Sequence, residues 1–243
     1  MYDVALFVGH GVSIDGSWDC GCAYWDGKKT YKEADLMMPI VKWAVRYLRL
    51  NGLKVFTDAF TGNNINMIKQ VEKANKLGAK LSIAVHCDYD KAPSGVQALY
   101  VSGNGLKLGN AITKAVKKEL GIPVKPAAER GDLYELTATN MPAVILETGS
   151  IKADIEVLRD KPKAYGKAIA KGICDYLGVK FVTSIYYTAS TNMTARAGVK
   201  LTSKKVGKYK KGDVFKVYYF NSTGKRAKTS KGWVTIKYAR KGM

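Results

Sequence analysis

Residues 4–10 read Val-Ala-Leu-Phe-Val-Gly-His, and residues 80–87 read Lys-Leu-Ser-Ile-Ala-Val-His-Cys. His10 and His86 are the only two histidines in a chain of 243 residues, and each closes a short apolar run. A short continuous apolar run bounded by turn-forming residues reads as a strand buried in a parallel sheet. In such a sheet, ligands gather beyond the carboxyl ends of the strands. Both histidines are therefore expected on that rim.

The same reading extends along the first three quarters of the chain. Strands are expected at 4–8, 53–57, 81–86, 96–101 and 143–147, with a weaker one at 133–136. Helical periodicity falls between them, at 31–50, 65–77, 105–120 and 162–177. Pro162 suits a first helical turn, and Gly52, Gly78, Gly121 and Gly178 each follow a helix end. The alternation predicts an α/β fold, an open, twisted, mostly parallel sheet covered by helices. After Leu177-Gly178 the pattern changes to short Tyr-, Val- and Thr-rich runs broken by Gly, Ser and Lys, the pattern of a small β-barrel. The expected domains are 1–180 and 185–243.

Composition bounds the function. The chain carries 40 Lys and Arg against 20 Asp and Glu, a formal charge of +20. Residues 183–243 hold fifteen of the basic residues and one acidic residue, and so account for +14 of that total. No apolar run reaches the roughly 18 residues of a membrane span. The N-terminus has no basic region before its apolar stretch, so a buried strand is expected there and not a signal peptide. Four scattered cysteines do not make a disulfide framework. Cys20-x-Cys22 lacks the usual spacing of a structural zinc pair, so reduced loop thiols are expected.

Two carboxylates join the histidines. Glu147 ends the run Ala-Val-Ile-Leu-Glu at 143–147, and Glu33 opens a helix in which Glu33, Met37, Ile40, Val41, Ala44 and Leu48 recur on one apolar stripe. Taken alone, Thr30-x-x-Glu33 also fits a capping box. Two His and one Glu suffice for a catalytic zinc with an open position for water, and a further Glu on the same rim supplies a base.

These residues resemble the zinc-dependent N-acetylmuramoyl-L-alanine amidases of the amidase 3 type, found in phage endolysins and in bacterial autolysins and sporulation enzymes. The matching motifs occur in order: Gly9-His10-Gly11, Glu33, Val85-His86-Cys87-Asp88, and Pro142-Ala143-Val144-Ile145-Leu146-Glu147-Thr148-Gly149. The resemblance implies that His10, Glu33 and His86 bind Zn2+, that Glu147 is the catalytic base, and that peptidoglycan is the substrate. It also shows departures. Phe56-Thr57-Asp58 stands where a Thr-Arg pair is usual, Asp88 where Asn is usual, and Ser150 and Lys152-Ala153 where Phe and Ser-Asn are common.

The tail resembles a bacterial SH3-like cell-wall-binding domain through Met193-Thr194-Ala195-Arg196-Ala197-Gly198, Val206-Gly207 with Lys211-Gly212-Asp213, and Gly232-Trp233-Val234-Thr235-Ile236. Its charge suits a polyanion. Nucleic acid competes as a partner, since Tyr218, Tyr219, Phe220 and Trp233 could stack on bases; Gly232-Trp233-Val234, however, reads as a core strand with a packed tryptophan. Anionic cell-wall polymers are the expected partner, with no nucleic acid and no membrane span. The combined reading is a phage-type lysin, held in the host cytoplasm until release to the wall. Alternatives are a stem-peptide zinc peptidase, a sporulation or autolytic amidase, and a non-catalytic wall- or nucleic-acid-binding protein.

Overall fold

A computed structural model describes residues 1–61 and 64–242. The chain divides into two compact units. One comprises Met1–Leu48 and Leu53–Phe181; the other comprises Arg49–Gly52 and the chain from Val182 onward.

The first unit is built on a six-stranded sheet of β1 (Val4–Val8), β2 (Val55–Phe56), β3 (Ser82–Asp88), β4 (Gln97–Tyr100), β5 (Ala128–Glu129) and β6 (Ala143–Ser150), in the spatial order β2-β1-β3-β6-β4-β5. Pairings among β2, β1, β3 and β6 are parallel, whereas β4 runs antiparallel to β6 and carries β5 parallel to itself. The register sets Phe7 beside Ala84 and Ala84 beside Ile145.

Among the described residues six helices accompany the sheet: α1 (Glu33–Leu50), α2 (Met67–Lys76), α3 (Gly103–Leu120), α4 (Tyr134–Thr137), α5 (Ile155–Asp160) and α6 (Pro162–Tyr176). On one face, Ala5 and Phe7 cluster with Ala74 of α2, and Ala84, Ala143 and Ile145 with Leu136 of α4. Side chains alternate across a strand, so Val4, Leu6, Val8, Val144 and Leu146 point the other way, and all are buried. There Gly109 of α3 packs on Ala98 and Val144, and α6 lies against both α1 and α3. Gly172 of α6 marks a close approach to α3, since a Cβ on it would stand 2.4 Å from Ile112 Cα.

The other expected elements are present: Val4–Val8 has the expected bounds, Gly103–Leu120 and Ala143–Ser150 run longer than expected, Ser82–Asp88 runs past His86, and the rest are shorter; the stripe from Glu33 to Leu48 is buried along its length. Three features differ. Residues 133–136 are not a strand, because Leu136 N–H bonds Leu133 O and Leu136 packs into the core from the short helix α4. The helix expected from residue 31 begins at Glu33, since Thr30–Lys32 pairs with Ala23–Trp25 as a hairpin. A second small hairpin, Gly11–Val12 with Trp18–Asp19, was not expected.

From Val182 onward the second unit is built of short strands, with one 3-10 turn at Ile236–Tyr238. One antiparallel sheet joins Val214–Val217, Ile185–Ala189 and Ala239–Lys241; the other joins Lys205–Tyr209, Met193–Arg196, Gly232–Thr235, Arg226–Thr229 and Tyr219–Phe220. Phe215 of the first meets Tyr209 of the second with ring centroids 4.6 Å apart, and Val217, Ala195, Ala227 and Val234 are buried with them. Val234, not Trp233, is the core residue of its strand. Trp233 is half-buried, with its ring edge to face on Tyr219.

Candidate metal centre

The site forms on the rim where β1 and β3 end. His10 follows β1 with φ 61, a left-handed conformation that a non-glycine residue adopts at a cost. Asn64 Nδ2 donates to its carbonyl at 3.0 Å and helps to hold it there. His86 is within β3, and its ring meets that of His10 at a centroid distance of 5.0 Å.

Glu33, the first residue of α1, reaches between the two rings. Its Oε2 lies 3.3 Å from His10 Nε2 and its Oε1 lies 3.0 Å from His86 Nδ1. The same carboxylate accepts from two backbone amides, Cys22 N–H on Oε2 and Cys87 N–H on Oε1, each at 3.0 Å. Glu33 is 2 % exposed, and no bond to the Thr30 amide is among these contacts, so the capping-box reading gives way to a buried, four-point clamp. The loop that supplies Cys22 presses down at Gly21, where a Cβ would come within 2.4 Å of Glu33 Oε2 and 2.6 Å of His10 Cδ2.

The electrostatics follow from this packing. Burial opposes the charge on Glu33, but hydrogen bonds and attraction from His10 and His86 outweigh it and hold the carboxyl far below the usual range. Burial would likewise lower both histidines, yet Glu33 with Asp19 raises His10, and Glu135 with Glu33 raises His86 well above its ordinary value.

Ligand atoms of His10, Glu33 and His86 all lie within 4.8 Å of one another. The residues suit a divalent transition metal: two imidazole nitrogens and one carboxylate oxygen are a donor set of catalytic zinc sites. His86 Nε2 is also buried with no hydrogen-bond partner, an orphan that needs a reason. His10 Nδ1 is bonded to Asp19 Oδ2 at 2.7 Å, which turns Nε2 towards Glu33, the arrangement by which a carboxylate orients a metal-binding histidine. On the other histidine, Glu135 Oε2 lies 3.8 Å from His86 Nε2.

Glu147 sits directly beside His86 in the pairing of β6 with β3. Its Oε2 is buried without a partner, and burial pushes its pKa up to about 7. Thr148 and Asp154 fix the strand around it. Thr148 Oγ1 donates to His86 O at 2.8 Å, and Asp154 accepts from Ser150 N–H, Gly95 N–H and Ser94 Oγ. A cleft of about 550 Å³ opens over His10 and His86 and is lined further by Ile14, Asp19, Met67 and Glu135.

All four expected site residues thus meet on one rim. Asp88 does not join them, being ion-paired to Lys125 at 2.8 Å. Asp58, at the position of the usual Thr-Arg pair, is buried and accepts from Gln70 Nε2 and the amides of Val8 and Ile65, so it braces the β1 end. Asp19 and Glu135 escaped sequence reasoning. The Asp15-Gly16 pair was a turn signal that, read as a hairpin, sets Asp19 opposite Gly11. The spacing of Leu133 and Leu136 was a helical signal that would have freed Glu135 from the supposed strand.

Comparison with known proteins places this geometry in a family. The amidase 3 model, described as N-acetylmuramoyl-L-alanine amidase, matches residues 4–176. The chain belongs to that family. An uncharacterized protein of Clostridium perfringens (strain 13 / Type A) is 28% identical in an alignment of 204 positions that covers 73% of this chain and 60% of that protein. The chain therefore spans about three fifths of that curated relative. Among solved structures, the N-acetylmuramoyl-L-alanine amidase AmiC2 of Nostoc punctiforme superposes with a TM-score of 0.62 at 22% identity, covering 72% of this chain and 97% of that one. The catalytic domain of the CD27L endolysin targeting Clostridia Difficile gives 0.58 at 16% identity, over 72% and 98%. At these identities the two structures speak to the fold.

Proposed function

We propose that the first unit hydrolyses the amide bond between N-acetylmuramic acid and the L-alanine of the peptidoglycan stem peptide, with zinc held by His10, Glu33 and His86. The observation that carries this reading is the convergence of those three donor groups on one rim, with Glu147 register-paired beside His86. Zinc bound by such donors polarises a carbonyl and lowers the pKa of water from about 15.7 towards 7.

The protein's own groups supply the rest. Asp19 keeps His10 Nδ1 protonated, so that Nε2 presents its lone pair. Glu147, poised near neutrality by burial, takes a proton from the attacking water through Oε2. It then passes that proton to the alanine nitrogen as the carbon–nitrogen bond breaks. The cleft over the histidines is the place for the scissile bond.

The second unit we read as an SH3-like cell-wall-binding domain for anionic wall polymers. Its two small antiparallel sheets and the +14 carried by residues 183–243 support this. A catalytic unit joined to such a domain suits a phage lysin that reaches the wall on release from the host. Metal analysis tests the catalytic reading. The purified protein should hold one equivalent of zinc, chelation should abolish wall lysis and zinc should restore it, and His10→Ala or His86→Ala should lose both metal and activity. Full activity in a metal-free preparation contradicts it.

A further inference from the structure

Two cysteines border the metal centre without serving it. Cys22 is half-buried in the loop before the hairpin that precedes α1; Cys87 follows His86 in β3 and is 4 % exposed. Their sulfurs are 3.9 Å apart, and Cys22 Sγ also approaches the carbonyls of Cys87 and Asp88 at 3.6 Å. The backbone amides of these same two residues hold the two oxygens of Glu33. Cys20 is turned elsewhere, its thiol on the Gly21 carbonyl.

Two thiols in contact can share a metal or a bond. Glu33 lies close enough to complete a Cys22–Glu33–Cys87 group. Each of its oxygens, however, already faces one amide and one imidazole. That leaves two sulfurs, half the donors of a closed thiolate site. A disulfide needs only the sulfurs, brought from 3.9 Å to about 2.05 Å.

We propose that Cys22 and Cys87 are a disulfide-forming pair, a modification site whose co-reactant is a low-molecular-weight disulfide. Cys22, the accessible thiol, gives up its proton and attacks one sulfur of the oxidant. A mixed disulfide forms and the first small thiol leaves with that proton. Cys87 then gives up its proton and attacks Cys22 Sγ, the second small thiol departs, and the Cys22–Cys87 bond is made. The protein dithiol loses two electrons and two protons, and the oxidant gains both. The cross-link ties residues 65 apart in sequence and fixes the two peptide groups that clamp Glu33. It therefore restricts the unfolded chain without adding a new contact to the folded one.

The test uses the full chain incubated with glutathione disulfide, digested without reductant and analysed by mass spectrometry, with a thermal melt in parallel. Wild type and Cys20→Ser should both yield a Cys22–Cys87 peptide lighter by two hydrogens, and Cys22→Ser should yield none. The melting temperature of the oxidised protein should rise by several degrees and return with dithiothreitol. A Cys20–Cys22 bond, a glutathione adduct at Cys22 that never resolves, no oxidation, or a cross-link that lowers the melting temperature overturns the proposal.

Discussion

His10 and His86 each share Glu33, and that sharing makes the centre sensitive to protons. Both histidines are held above their ordinary values because carboxylates outweigh burial, Glu33 and Asp19 at His10 and Glu135 and Glu33 at His86. Only a neutral imidazole binds metal. Protons therefore compete from a higher pH than the usual 6.5 or so of histidine: affinity is full on the alkaline side and falls as pH drops through the raised values. Calorimetric titration with zinc across pH, in buffers of different ionisation enthalpy, should show proton release on binding at neutral pH; an affinity flat down to pH about 6 contradicts this electrostatic account. Asp19→Asn weakens the bond that aims His10, so zinc affinity should fall about 10- to 100-fold with the fold intact. Glu147→Gln keeps shape but cannot accept a proton. We expect zinc to be retained and turnover to fall by a factor on the order of 10² or more; loss of zinc instead would make Glu147 a ligand.

At the scale of elements, the close packing of α6 on α3 is the sharpest constraint. Gly172→Ala places a methyl 2.4 Å from backbone of Ile112, so the helices must part. Denaturant unfolding should show a loss of about 1–3 kcal/mol, as for other overpacked cores, with zinc content unchanged in the folded protein. This contact could not be read from sequence, because a glycine inside a helix carries no sign of what approaches it. The long elements could. Met37, Ile40, Val41, Ala44 and Leu48 repeat with helical period and are all buried, and the runs ending in His10, His86 and Glu147 are strands of one sheet. Periodicity needs length, and around the four residues of α4 the Leu133–Leu136 spacing is its one trace. Residues 11–32 are mostly exposed and pair in strands of two or three residues, so their order comes from turns and from contact with Glu33 and His10. For the same reason Glu33 could be placed on the rim from sequence while its choice between cap and ligand could not.

For the molecule as a whole, charge and chemistry are divided between the two units. Residues 183–243 carry +14 of the +20 net charge, and among the described residues no helix is long and apolar enough to cross a membrane. The segment alone should sediment with purified walls, and salt should weaken the binding, since screening shortens the reach of exposed charge to about 8 Å at physiological ionic strength. A folded domain that reads wall peptide or glycan by shape should keep a salt-resistant component; equal binding to duplex DNA at every salt concentration, with no such component, contradicts the wall reading. Residues 1–181 alone should still cleave soluble muropeptides and lyse intact cells poorly, having lost their local concentration on the wall. The central claim concerns which bond is cut. Mass spectrometry of peptidoglycan digested by the zinc-loaded protein decides it: the account predicts intact stem peptides with a free amino-terminal alanine, together with glycan whose muramic acid carboxyl is unsubstituted, whereas stem peptides cut internally and still attached to muramic acid would contradict it.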